Sequence, residues 1–316
     1  MSDAAIFIAT RGSALALAQA NLVLANCRAN FPQLNFDLKI ILTTGDKMQS
    51  ASLSRVDASV PRGLFTKELE SALLDNEADV AVHSLKDLPT ELPDGLKLGG
   101  VAGKREDVRD VLVYRDAIPP KTRLADFPPG LTLATSSTRR KAQVLAQRPD
   151  FKVVDIRGNV PTRLKKVAGQ TEIDMTILAA AGLSRLHFQI TPAGRLEGEG
   201  VPGGLAATIL DTDGMLPCVG QGALGLEIRE GDERMAAICQ RLNDEETWQC
   251  VSAERAFLRA MGGGCQTPIG ACASISGDEI HLRAVSFLSS QARRAEARAP
   301  RTDAIALGER VAAQLI

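Results

Sequence analysis

Three stretches of the sequence bring together side chains able to do chemistry. His83-Ser84-Leu85-Lys86-Asp87-Leu88-Pro89 sets a cation beside a carboxylate at the end of a short apolar run. An aspartate so placed can act as acid or base, or hold a cationic intermediate; the same residues also read as an Asx-type turn before Pro89. Between Arg139 and Lys166, nine cations face only Asp150 and Asp155. Arg139, Arg140, Arg157 and Arg163 fall at expected helix starts and strand ends, where a forked guanidinium can grip a carboxylate or phosphate through two bonds. Lys141, Arg148, Lys165 and Lys166 read as solvated helix faces. Cys265 lies in Gly262-Gly263-Gly264-Cys265-Gln266-Thr267-Pro268-Ile269-Gly270, where the glycines let another group approach a thiol that can be alkylated. A cysteine is also commonly a small buried hydrophobe, as the other five here are expected to be.

A small polyanion suits this arginine cluster better than a polymer. The chain carries 37 Lys plus Arg against 38 Asp plus Glu, a net charge of -1, so no global field draws it to nucleic acid or anionic lipid. The local excess is offset between Thr66 and Asp94, where eight acids meet two bases. Nucleic-acid binding also wants stacking aromatics, and of the one Trp, one Tyr and nine Phe only Phe151 falls within the cluster. No apolar run approaches the roughly 20 residues of a membrane span. Asp3 stands where a secretory signal needs basic residues, so the chain reads as cytoplasmic. Cys27, Cys218, Cys239, Cys250, Cys265 and Cys272 include no CxxC and are expected to be reduced. His83, His187 and His281 are never paired at helical spacing, which gives a metal site no support.

These residues need elements to position them, and a length of 316 residues suggests two or three domains. Ile6 to Ala9 and Phe36 to Leu42 predict strands around a helix from Ser13, its N-cap, to Ala29. A helix over Leu64 to Leu74 and a buried strand over Asp79 to Val82 follow. The pattern then repeats: strands over Leu131 to Ala134, Lys152 to Ile156 and Met175 to Leu178, helices over Ser137 to Gln147 and Pro161 to Ala168. Such alternation predicts α/β lobes whose helix N-termini and parallel strand ends favour anions. Ile8-Ala9-Thr10-Arg11 before the first helix is echoed by Leu133-Ala134-Thr135-Ser136 before the Ser137 helix. Met48 to Gly63 is Ser-rich and aperiodic, the length of a lid. A helix over Glu246 to Met261, ended by three glycines, and strands over Ile269 to Ile275 and Ile280 to Phe287 make a small α+β third domain.

Taken together the motifs resemble the porphobilinogen deaminases, over about Ile6 to Phe287. Ile8-Ala9-Thr10-Arg11 with Ser13 and Leu15, Thr43 to Asp46, Gly63 to Glu70, His83 to Pro89, Thr135-Ser136-Ser137 with Arg139-Arg140, Arg157-Gly158-Asn159-Val160, Val219 to Ala223, and Gly263 to Gly270 carry the likeness, in the family's order. The resemblance implies two lobes like a hinged periplasmic binding protein, doubly wound, plus a small third domain. Residues 1–103 with 217–230 would form the first lobe, with a lid over 48–63; 104–200 the arginine-rich second lobe; 201–216 a linker; and 231–316 the cofactor-bearing domain.

It also implies an activity. Cys265 would hold a dipyrromethane cofactor through a thioether; four porphobilinogen molecules would be added head to tail, each losing ammonia, and water would release hydroxymethylbilane. Asp87 matches the catalytic carboxylate, set to stabilise the electron-poor azafulvene left when ammonia departs. Lys86, Ser84, Asp87, Thr135, Ser136, Ser137, Arg139, Arg140, Arg157 and Gly158 match cofactor-binding positions. Arg11, Ser13, Arg157, Arg163, Arg185, Arg62 and Phe65 match substrate-binding ones. The polycarboxylate product would account for a basic cleft in a neutral protein, and a monomer is implied. Arg62 replaces the usual Lys, Cys218 replaces the usual Ala, and Leu186 to Leu216 is longer than typical. A two-lobed cytosolic binding module for a carboxylate metabolite is the rival reading, but it has no need of Gly264-Cys265-Gln266. A phosphate-ester enzyme would lack a P-loop and metal ligands.

Overall fold

A computed structural model describes residues 5–43, 66–264, 267–289 and 291–316. The expected lid, with Arg62 and Phe65, and the expected cofactor-bearing Cys265 lie outside them.

In chain order the elements are β1 (Ile6–Arg11), α1 (Ala14–Asn30), β2 (Phe36–Ile41), α2 (Lys67–Leu74), β3 (Val80–Ser84), β4 (Leu96–Val101), β5 (Asp110–Arg115), β6 (Thr132–Ala134), α3 (Thr138–Gln147), β7 (Lys152–Val154), α4 (Val160–Gly169), β8 (Met175–Ala179) and α5 (Ala180–Arg185). There follow β9 (Gln189–Ile190), β10 (Leu196–Glu197), β11 (Leu205–Ile209), β12 (Leu224–Arg229), α6 (Glu233–Leu242), α7 (Glu245–Ala260), β13 (Ile269–Ser276), β14 (Glu279–Ser286), β15 (Arg293–Pro300) and α8 (Ala304–Ala313). They form two compact units, residues 1–105 with 223–248 and residues 106–222 with 249–316.

The first unit is a five-stranded sheet in the order β2-β1-β3-β12-β4. β1 runs parallel to β2 and β3, and β12 runs antiparallel to β3 and β4, so the sheet is mixed. Ser13 caps α1 by accepting the Ala16 N–H at 3.3 Å, and Val23 and Cys27 of that helix bury against Ile6, Ile8, Val80 and Val82. β3 is buried from Val80 to His83, as a central strand of such a sheet must be. Against its other side pack Leu69 and Leu73 of α2.

The second unit holds a sheet in the order β11-β5-β8-β6-β7, with β6 parallel to β7 and β8 and the other pairs antiparallel. It also holds the three-stranded antiparallel sheet β13-β14-β15, backed by α7 and α8. The fold is therefore α/β with a small antiparallel module, and the expected strands and helices are present to within a few residues wherever they are described.

Two expected boundaries differ from the fold. Residues 201–216 are not a plain linker, because Leu205–Ile209 pairs with β5 and closes one edge of the second sheet. Residues 231–248 do not belong with the antiparallel module. Met235, Ile238, Cys239 and Leu242 make an i, i+3, i+4, i+7 stripe on α6 that buries in the core of the first unit.

The antiparallel module depends on a close helix crossing. A Cβ on Gly308 of α8 would run into the carbonyl oxygen of Ala253 on α7 and lie 2.7 Å from the Phe257 nitrogen. Backbone cannot yield as a side-chain tip does. Gly308→Ala is thus expected to destabilise the protein by about 1–3 kcal/mol, read as a fall in the urea midpoint; an unchanged midpoint would show that the helices part freely.

Candidate functional site

At the carboxyl edge of the first sheet, β3 ends in Ser84 and the chain enters a 3-10 turn, Leu85–Asp87. Leu85 is buried and anchors the turn, Lys86 is half-buried and Asp87 is exposed. The Asp87 carboxylate has no hydrogen-bond or ion-pair partner among the described residues. Ser84 is held from beneath, its Oγ accepting from the Gln19 side-chain amide at 2.8 Å. β1 lies parallel beside β3, so Arg11 at its carboxyl end occupies the same sheet edge, followed by Ser13 at the α1 cap.

The second unit builds a matching edge from the ends of β6, β7 and β8. Thr135 is buried, with its Oγ1 accepting the Ser137 N–H at 3.2 Å; the Ser137 side chain caps α3. Ser136 Oγ bridges to β7's extension, donating to the Ile156 carbonyl at 2.9 Å and accepting its N–H at 3.1 Å. Asn159 caps α4, whose first turn includes Pro161. Gly158 adopts φ +114, and a Cβ there would approach Thr162 Cγ2 to 2.7 Å, so the loop into α4 requires glycine. Arg163 Nε donates to the Gly158 carbonyl at 2.8 Å, while Arg157 is exposed and its guanidinium meets no partner among the described residues.

Arg139 and Arg140 sit differently from a pair of open anion clamps. Both are buried, and both grip the fully buried Asp110: Arg139 Nη1 lies 2.8 Å from Oδ2 and Arg140 Nη2 lies 2.7 Å from Oδ1. Their other bonds go to the carbonyls of Leu216 and Ile177, each at 2.7 Å, and Gln221 donates to Asp110 Oδ1 at 2.8 Å. Burial alone would raise the Asp110 carboxyl, but the two guanidinium charges and their hydrogen bonds outweigh it and hold it well below the usual carboxylate range. Arg185 is also buried, donating from Nη2 to the Gly222 carbonyl at 2.6 Å; desolvation brings its pKa down to about 10, opposed by Glu106.

Asp110→Asn should therefore cost about 3–5 kcal/mol at pH 7, since it strands two buried cations. Because the folded pKa is depressed, the Asp110 contribution is fully present above the unfolded carboxyl pKa of about 3.9 and is lost as pH falls toward the folded value. Urea unfolding at pH 7 and pH 3 tests this: the gap between wild type and variant is expected to narrow in acid, and an equal gap at both would refute the charge assignment.

The donor set fits an organic polycarboxylate. The Nε atoms of Arg139, Arg140 and Arg185 are buried without a hydrogen-bond partner among the described residues, so each guanidinium keeps a donor unspent there. Hydroxyls, the starts of α3 and α4, and Arg157 add more at the same sheet edge. Among the described residues no group of three or more His, Cys, Asp and Glu is set to hold a metal ion. The thiols of Cys27 and Cys239 are pushed up to about 11 and 12 by desolvation, which keeps them protonated and poor nucleophiles.

A family model described as porphobilinogen deaminase, dipyromethane cofactor binding domain, matches residues 6–237, and one described as porphobilinogen deaminase, C-terminal domain, matches residues 248–316. The chain belongs to the porphobilinogen deaminase family. It is 42% identical to the porphobilinogen deaminase of Brevibacillus brevis, over 98% of this chain and 93% of that one. It is 46% identical to that of Thermus thermophilus, over 86% and 81%, and 44% identical to that of Nitrobacter hamburgensis, over 99% and 93%. Among solved structures it is similar to the periplasmic aliphatic sulphonate binding protein SsuA from Escherichia coli, at 14% identity, covering 82% of this chain and 70% of that one with a TM-score of 0.41. As a porphobilinogen deaminase family member the chain is a transferase of tetrapyrrole biosynthesis with a dipyrromethane cofactor.

Four residues of the described site were not among the sequence candidates. Asp110 and Gln221 hold the buried arginines, Gln19 holds Ser84, and Glu227 bonds His83. Asp110 leaves a readable signal, an acid opening the apolar run Val111 to Tyr114. Gln221 falls within the Val219 to Ala223 motif, while Gln19 and Glu227 leave no signal, because their partners lie far along the chain.

Proposed function

We propose that the chain adds four porphobilinogen molecules head to tail, with loss of ammonia, to a dipyrromethane held by Cys265, and hydrolyses off hydroxymethylbilane, acting as a cytoplasmic monomer on this small molecule and on neither nucleic acid nor membrane. The observation that carries the residue assignments is the placing, at one sheet edge, of an exposed Asp87 with no partner among the described residues next to the half-buried Lys86. When bound, the dipyrromethane supplies a tethered pyrrole end to which new units join.

Asp87 stabilises the positive charge that develops as ammonia leaves the substrate, a contribution larger in the transition state than in the ground state. Lys86 and Ser84 orient carboxylate side arms beside it. In the second unit Thr135, Ser136, Ser137, Arg157 and Gly158 receive carboxylates through hydroxyl, backbone and guanidinium donors, with Arg139 and Arg140 contributing their remaining donors and one net positive charge between them once Asp110 is counted. Arg11, Ser13, Arg163, Arg185, Arg62 and Phe65 are assigned to the incoming substrate. The cytoplasmic assignment is supported by Cys27, Cys218, Cys239, Cys250 and Cys272, all free thiols. Among the described residues no helix is long and apolar enough to cross a membrane.

Incubating the purified protein with porphobilinogen tests the reading. Release of one ammonia per porphobilinogen consumed, with an open-chain tetrapyrrole as product, is expected; binding without ammonia release would instead establish a two-lobed binding module.

A further inference from the structure

We infer that Glu227 is a positioning residue for this reaction: through His83 it fixes the end of β3 in the pose that presents Lys86 and Asp87. The inference rests on the role assigned to Asp87 above. Glu227, on β12, is wholly buried, with Oε2 2.8 Å from Nε2 of the buried His83 and Oε1 lacking a hydrogen-bond partner among the described residues. A buried carboxylate with half its acceptors unmet is a poor way to gain stability, and an apolar pair of similar volume would serve as well or better. A second acid lies close by. Glu70 of α2 is buried too, and its carboxyl is raised by desolvation and further by the Glu227 and Glu68 charges, against the opposing effects of Thr66 and His83.

The other contacts of β12 show what this arrangement holds. Gly225 sits opposite His83 in the antiparallel register, and a Cβ on it would lie 2.9 Å from Leu85 Cδ1. The Leu85 N–H donates to the Ala223 carbonyl at 3.0 Å. His83 and Leu85 are thus gripped from β12 by an acid, a gap and a carbonyl. Lys86 and Asp87, next along the chain, inherit their placement from that grip, and a displacement near 1 Å is enough to cost about 100-fold in rate.

The experiment uses full-length protein purified from cells that make the cofactor, as wild type, Glu227→Gln and Glu227→Asp. Intact mass counts cofactor-loaded molecules, and kcat and KM for porphobilinogen are measured per loaded molecule. Both variants are expected to keep the added mass and a KM within about twofold of wild type while kcat falls about 10- to 100-fold. A purely structural role would lower yield or Tm and leave kcat per loaded molecule alone. Loaded Glu227→Gln with wild-type kcat overturns the inference, as does a raised KM at constant kcat. Where Glu227→Gln does not fold, Glu227→Asp decides, since it keeps the charge but shortens the reach to His83: a lowered kcat per loaded molecule supports the inference and a wild-type kcat overturns it. Absence of ammonia release by the wild type would instead count against the role of Asp87.

Discussion

Asp87→Ala is expected to lower turnover by about 10²- to 10⁴-fold while leaving the unfolding midpoint unchanged. Both halves follow from the position of the side chain. It is exposed, at the tip of a 3-10 turn whose buried anchor is Leu85, and has no partner among the described residues, so its loss takes nothing from the fold; substitutions of this kind usually stay within about 0.5 kcal/mol. In the proposed reaction its worth lies in charge that appears as ammonia leaves. Asp87→Asn, which keeps the shape and removes the charge, should be nearly as slow. Full turnover by either variant would remove Asp87 from the chemistry.

Cys265→Ser is expected to abolish both activity and a covalent mass addition. Denatured wild-type protein from cells able to make the cofactor should weigh more than its sequence by one dipyrromethane, and the serine variant should match its sequence, because a hydroxyl near neutral pH is a far weaker nucleophile than a thiol. The flanks of this residue are firmly tied. Gly264 N–H, just before it, donates at 2.8 Å to Oγ1 of Thr267, just after it, and Glu254 of α7, fully buried, accepts the N–H groups of Gly220 and Ala273. A Cβ on Gly263 would press to 2.8 Å on Leu258 Cδ1, so the glycine run permits a tight exit from the helix. A wild-type mass equal to the sequence mass would defeat the assignment.

Local pattern made much of the architecture readable. Ser13 and Ser137 announced α1 and α3 because an N-cap acts within three residues. Val80-Ala81-Val82, within the strand expected over Asp79 to Val82, announced a buried strand because burial on both faces demands unbroken small or apolar side chains. What escaped was set by distance. β12 reaches β3 from some 140 residues on, and Gly225-Leu226-Glu227 carries no mark of the histidine and leucine it holds. The arginines were legible as a cluster but not as a shared bond to Asp110, since a guanidinium aimed at solvent and one aimed at a buried acid look alike in a sequence. The α6 stripe was not read as a helix face, and residues 231–248 were assigned with the chain that follows them; even once seen, amphipathicity says that a face is covered without saying by what.

The insertion of β12 between β3 and β4 has a price during synthesis. A ribosome delivers those two strands early, then must translate more than a hundred further residues before the strand that joins them emerges. At 5–20 residues per second the nascent first lobe waits on the order of ten seconds with a gap in its sheet. Through that interval two strand edges stand open to pairing with a neighbour, so the danger of misassembly peaks just before Arg229 leaves the exit tunnel.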